Sequence, residues 1–265
     1  RTVKMCGKVD IYSLPYSHEI VSAWRGEGLG LYLTGVGDDC SKGLLGMGVL
    51  RFLLLACSLV TTPAWAIGFT GTDLDGLACK GGAQGYGPYD YTNPQHIQHN
   101  LPVVEEKHFT AGVERLIRGK SGYLLGDLDY TLRAFPNHHR ALYALIRFVT
   151  EPGHAGRSGM GNLKAQPECY LQRALRFKPD DGKVHMLFGL YLHKLGKLPE
   201  AEVYYRNAVK LMPSNAEANY NLGLVLTDQN KFAEAVPVAK KAYQLGYPLA
   251  GLRKRLAAAG HPLNP

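Results

Sequence analysis

Residues 180–248 read DDGKVHMLFGLYLHKLGKLPEAEVYYRNAVKLMPSNAEANYNLGLVLTDQNKFAEAVPVAKKAYQLGYP. Within them Gly189, Ala201, Tyr205, Ala208 and Pro213 return 34 residues later as Gly223, Ala235, Ala239, Ala242 and the Tyr247-Pro248 step, the last one residue late. A repeat of this period predicts a solenoid of stacked helix hairpins, each unit covering a face its neighbour cannot bury alone. Small residues at Gly189 and Ala201 let two antiparallel helices approach, and Tyr205 fills the space towards the next helix. Pro213 cannot continue a helix, so it closes the unit.

The pattern extends upstream. Tyr170, Leu171, Ala174, Leu175 and Phe177 mark a helix from Pro167 that halts at Pro179. Residues 150–166 hold four glycines and one proline and read as a loop. His138 to Val149 carries Leu142, Leu145 and Ile146 on one face, and Tyr123 to Phe135 is a second amphipathic run stopped by Pro136-Asn137. A partial stripe from Glu105 to Ile117 predicts a helix beginning near Pro102 and ended by Gly119 and Gly122. Downstream, Leu249, Leu252 and Leu256 predict a last helix over 249–259 that caps the stack.

With 46% hydrophobic and 20% charged residues, the 265-residue chain has the balance of a globular protein rather than a disordered one. Its net charge of +8 favours acidic partners. The basic residues are scattered, however. The densest cluster, Arg253-Lys254-Arg255, sits where it compensates a helix dipole, so nucleic acid is not an expected partner.

Residues 1–46 show no sustained period. They are followed by Met47 to Arg51, an apolar run from Phe52 to Val60, and Ala64-Trp65-Ala66. A positive start, a short apolar core and a small-x-small end are the parts of a secretory signal peptide, and the run is too short to span a membrane. On this reading Met47 is the true start, residues 1–46 are upstream sequence, and the mature chain begins at Ile67. Two alternatives stay open: a buried core helix, and a lipoprotein signal in which Leu54-Leu55-Ala56-Cys57 leaves a lipidated Cys57. Export would remove Cys6, Cys40 and Cys57 and leave Cys79 and Cys169, either as a disulfide or as two buried thiols.

Residues 67–104 are an irregular segment rich in turn chemistry, including Gly81-Gly82, Gly87-Pro88 and Asn93-Pro94. Tyr86, Tyr89 and Tyr91 on this scaffold have two readings. They stack on a sugar or peptide, or they fasten the segment onto the open end of a helical core.

The repeat resembles the tetratricopeptide repeat. Its first helix offers His185-x-x-Phe188-Gly189-x-x-Leu192, and its second offers Ala201, Tyr205, Ala208 and Pro213. The next unit offers Asn219-x-x-Leu222-Gly223-x-x-Leu226, then Ala235, Ala239, Ala242 and Pro248. His185 and Asn219 depart from the family's first aromatic. Pro136 to Pro179 fits an earlier unit of 43 residues, carrying an insertion, and 103–135 a degenerate helix pair. Phrases such as Gly87-Pro88-Tyr89-Asp90-Tyr91 and Leu245-Gly246-Tyr247-Pro248 are similar to those of exported bacterial tetratricopeptide-repeat proteins of unassigned role.

The resemblance implies an all-α helical-hairpin solenoid over 105–265, behind the irregular segment 67–104, the signal peptide 47–66 and the upstream stretch 1–46. It also implies a concave partner-binding groove lined by Arg140, Tyr143, Arg147, Lys183, Met186, Leu190, His193, Tyr220 and Leu224. Basic at one end and apolar-aromatic at the other, such a set suits a peptide carrying a carboxylate and apolar anchors. Met186 and Leu190 stand where the chaperone-tail clamp of some such domains has Lys and Asn.

Other chemistry finds little footing. His96, His99, His108, His138, His139 and His154 invite a metal reading, but none completes a recognised ligand spacing. There is no Gly-x-Ser-x-Gly elbow, phosphate loop or His-Glu-x-x-His motif, and the glycine-rich 156–161 follows no predicted strand. The expectation is a periplasmic or secreted interaction module with no catalytic residue, metal or cofactor. Its partner would be a protein or peptide, with membrane association only if lipidated and self-association left open. It would serve as a scaffold or assembly factor of the bacterial envelope; a lipid-anchored outer-membrane assembly factor and a metal- or carbohydrate-binding protein are the competing readings.

Overall fold

The computed structural model describes residues 71–81, 85–154 and 158–263. The signal-peptide and lipoprotein readings, and the upstream stretch, lie outside the described residues. Eleven α-helices run through the described residues. In chain order they are α1 Pro94–His99, α2 Leu101–His108, α3 Ala111–Glu114, α4 Leu124–Ala134, α5 His139–Thr150, α6 Pro167–Phe177, α7 Gly182–Lys194, α8 Leu198–Leu211, α9 Ala216–Asp228, α10 Phe232–Gln244 and α11 Gly251–Ala258. The pairs α7–α8 and α9–α10 are the two regular hairpins, and each packs on the next element in the chain, as a helical solenoid requires.

Two features start the regular units. Asp181 caps α7 by accepting from the Lys183 and Val184 amides, and Asn215 caps α9 by accepting from Ala218. These two caps sit 34 residues apart, one repeat period. Inside each unit the glycine is a steric necessity. A Cβ on Gly189 would lie 2.7 Å from the Tyr205 ring, and one on Gly223 would lie 2.6 Å from Leu252. Tyr205 and Leu252 are both fully buried.

The interrupted unit is α5 with α6. Its intervening segment does more than connect. Met160 is buried in the main core, and the Gly159 and Met160 carbonyls accept from the Leu124 and Leu125 amides at the start of α4. One side of the insertion therefore caps a helix of the preceding pair, which the loop reading did not foresee.

The degenerate pair is α2 with α4. The single helix expected from Pro102 to Ile117 is broken in two. Phe109 leaves the helical region at φ −131°, ψ 50°, and Leu116 takes a left-handed φ of 59° while fully buried. Burying both side chains outweighs helical continuity here. Upstream, Asn93-Pro94 starts a helix rather than a turn. The Asn93 side chain accepts from Gln95, and Pro94 occupies the first turn, where its missing N–H costs nothing.

Tyr86, Tyr89 and Tyr91 pack around Phe135, with Leu101, Val104 and Ala134, in a small second core. Farther upstream, Cys79 is disulfide-bonded to Cys169 of α6. The segment 71–81 is held there by that bond and by a few polar contacts. The Leu74 amide donates to Glu168 Oε1 at 2.8 Å, and Gln172 Nε2 donates to the Thr72 carbonyl at 2.7 Å.

Candidate partner-binding groove

Helices α5, α7 and α9 are the first helices of successive units and pack side by side. Two open depressions follow their exposed faces, of about 310 and 480 Å³, and Leu190 lines both. Arg140, Tyr143, Lys183 and Met186 line the first, and His193, Tyr220 and Leu224 the second. Eight of the nine sequence-assigned groove residues are thus brought together. Arg147 is not among them. It bonds Glu151 on its own helix at 3.2 Å and lies over the Tyr143 ring.

The depressions also contain His139, Leu187, Glu217 and Asn221, and Lys194, Asp228, Gly251 and Arg255. Several of these carried a signal that the sequence reading left unused. Stepping one repeat from Lys183, Leu187 and Lys194 arrives at Glu217, Asn221 and Asp228, just as Met186 leads to Tyr220 and Leu190 to Leu224. A helix face repeated at the solenoid period presents the same side to the groove in every unit.

Four of the cations along the groove, Arg140, Lys183, His193 and Arg255, each face an acid. Arg140 bonds Glu114 through two nitrogens and Glu105 through a third contact at 3.0 Å. The hydrogen bond with Glu114 holds that carboxyl below its ordinary range and raises the guanidinium above its own. Lys183 faces Glu217 at 3.6 Å, an ion pair beyond hydrogen-bond reach. In the second depression, His193 and Arg255 both bond Asp228. At the two groove positions where α7 carries lysine, α9 carries an acid. What remains uncompensated in the middle is apolar: Met186, Leu187, Leu190 and Leu224.

A buried polar knot anchors the first end of the groove. Asn137, fully buried, accepts from the Tyr91 amide and donates to both Asp90 and Asp181. His139 donates to Asp181 at 2.9 Å. Burial would raise the Asp181 carboxyl, but the bonds from His139, Asn137 and Val184 outweigh it and hold the group below its ordinary range. Beside it, His138 caps α5, its Nδ1 accepting from the Ala141 amide while Nε2 faces Glu105 at 3.2 Å. Burial keeps this imidazole neutral by lowering its pKa. Tyr91 stacks on the same ring, with centroids 4.2 Å apart.

Two more of the candidate histidines are held by single polar contacts. His108 bonds Asp127, and His96 accepts from the Asp90 amide. Among the described residues no three histidine, cysteine or acidic side chains converge as a metal-ligand set. No helix among those residues is long and apolar enough to cross a membrane.

Residues 189–230 match a family model described as TPR repeat, and residues 216–245 match one described as tetratricopeptide repeat. No curated protein matches the chain.

Proposed function

From the premise that this is a tetratricopeptide-repeat chain, we propose that it is an exported interaction module of the bacterial envelope. It holds a peptide or protein partner in the groove of α5, α7 and α9, as a scaffold or assembly factor, by recognition rather than turnover. The observation that carries this reading is the continuity of the two depressions through Leu190, with an apolar middle between charged walls. Such a groove suits a segment with one or two apolar anchors. A carboxylate on that segment finds its best partner in Lys183, whose own pair with Glu217 is loose and half-exposed.

Export is supported by two independent features. One is the signal-peptide pattern from Met47 to Ala66. The other is the Cys79–Cys169 disulfide, a bond that persists in oxidising compartments. Mass spectrometry of the native protein separates a free mature terminus at Ile67 from a lipidated one at Cys57. The carbohydrate reading loses its footing because Tyr86, Tyr89 and Tyr91 are spent on Phe135 and its neighbours.

The test is affinity capture from envelope fractions with wild-type protein and a Leu190→Asp/Leu224→Asp variant whose circular dichroism matches wild type. A partner retained by the first and lost by the second is the expected result. Identical partners with both would overturn the groove assignment.

A further inference from the structure

The C-terminal cap carries charge that the groove does not use. After Glu234 there is no acidic residue to the end of the sequence, while Lys240, Lys241, Arg253, Lys254 and Arg255 all follow. Helix-dipole compensation accounts for Lys241 and Arg255, which lie in the last turns of α10 and α11. Arg255 is in addition neutralised by Asp228. Lys240, Arg253 and Lys254 are left over. None of these three, nor Lys241, has an acidic partner among the described residues, and all four are exposed.

Tyr243 ties Arg253 and Leu249 to the end of α10. Its hydroxyl accepts from the Arg253 amide at 3.0 Å and donates to the Leu249 carbonyl at 3.0 Å. The Arg253 guanidinium lies 4.5 Å from the centre of its ring. Lys240 stands one turn before Tyr243 on α10 and shares its face of the helix. Leu249 is 57% exposed in the segment between α10 and α11. An exposed leucine near cations that have no acidic partner is the composition that seats a protein on an anionic bilayer. The cations meet the headgroups, and the apolar side chain enters the boundary beneath them. A purely electrostatic partner such as nucleic acid would have no use for Leu249.

We infer that the basic end made by α10, α11 and the segment joining them, with Lys240, Lys241, Arg253, Lys254 and the exposed Leu249, docks the chain peripherally onto an anionic phospholipid surface, without a lipid anchor, leaving the groove of α5, α7 and α9 free for its partner.

The experiment is flotation of the full mature chain with vesicles of phosphatidylcholine alone and of phosphatidylcholine mixed with phosphatidylglycerol. It is run for wild type, for Lys240→Gln/Lys241→Gln/Lys254→Gln, and for Leu249→Ser, with circular dichroism to establish that each is folded. Wild type is expected to float only with the anionic vesicles and to be released by high salt. The triple variant loses roughly a hundredfold in partitioning, each lysine near such a surface contributing about fivefold. Leu249→Ser weakens vesicle binding without altering its salt dependence. Equal flotation with both vesicle types, flotation with neither, or full retention by the triple variant would overturn the inference. So would a Leu249→Ser variant that floats like wild type while duplex DNA competes the vesicles away, since the face would then be a general polyanion site.

Discussion

Leu252 lies over Gly223 in the place that Tyr205 takes over Gly189. One repeat after Tyr205 the chain has Ala239, which leaves the space above Gly223 empty of any side chain from its own hairpin. The cap helix α11 fills that space from outside. The final unit is therefore completed by a residue beyond it, and α11 is part of the last repeat's core as well as its polar end.

That relationship predicts the cost of disturbing it. Leu252→Ala opens a cavity at a fully buried site and should destabilise the protein by about 2–5 kcal/mol. Gly189→Ala should cost about 1–3 kcal/mol, since the new methyl meets an immobile ring at 2.7 Å. Gly223→Ala meets only the end of a leucine side chain and should cost less than Gly189→Ala. Urea denaturation of the three variants checks both the magnitudes and the order.

The disulfide holds a segment with little else to hold it. Within 71–81 Cys79 is the one buried side chain, and Leu77 is 66% exposed. Replacing both cysteines (Cys79→Ser, Cys169→Ala) opens a loop of 90 residues and should cost about 4.6 kcal/mol. Amide exchange should accelerate first in residues 71–81, while α7 to α10 stay protected near neutral pH. Equal protection of 71–81 with and without the bond would contradict this.

Acid should loosen the first end of the groove before the repeats. Burial holds the folded-state pKa of His138 below its ordinary 6.5. As pH falls through 6.5 the unfolded chain binds a proton that the folded chain refuses, so stability is lost from there down to the folded value. The loss amounts to about 1.4 kcal/mol per pH unit of that window. Asp181 acts in the same direction but lower, because its folded value lies below 3.8. His138→Asn replaces the Nδ1 cap acceptor with an amide oxygen that does not titrate. Its stability between neutral pH and about pH 5 should be flatter than that of wild type, as read by denaturant midpoints at each pH.

The repeat was legible because its marks are steric. A glycine under a ring, an alanine at a helix contact and a proline at a unit's end must recur wherever the geometry recurs. The groove was legible in part. Tyr220 and Leu224 were reached through the family resemblance, while Glu217, Asn221 and Asp228, one repeat from Lys183, Leu187 and Lys194, were left out. The pairing of Arg140 was out of reach, since Glu114 and Glu105 lie 26 and 35 residues from it and are brought close by packing that no local pattern encodes. The break of α2 before α3 has the same origin. Phe109 and Leu116 abandon helical geometry to reach a core that is visible only once α4 and α5 are in place.

On the proposed function the partner lies along α7 and α9. A photo-crosslinking residue placed at Leu190, between the two depressions, tests it against one placed at Val203, which is exposed on α8 and lines neither. In envelope fractions the Leu190 probe should give a discrete crosslinked partner, and its yield should fall at least about tenfold when Leu224→Asp is added, a loss of about 1.4 kcal/mol. The Val203 probe should give none. A partner captured from Val203 and absent from Leu190 would contradict the account.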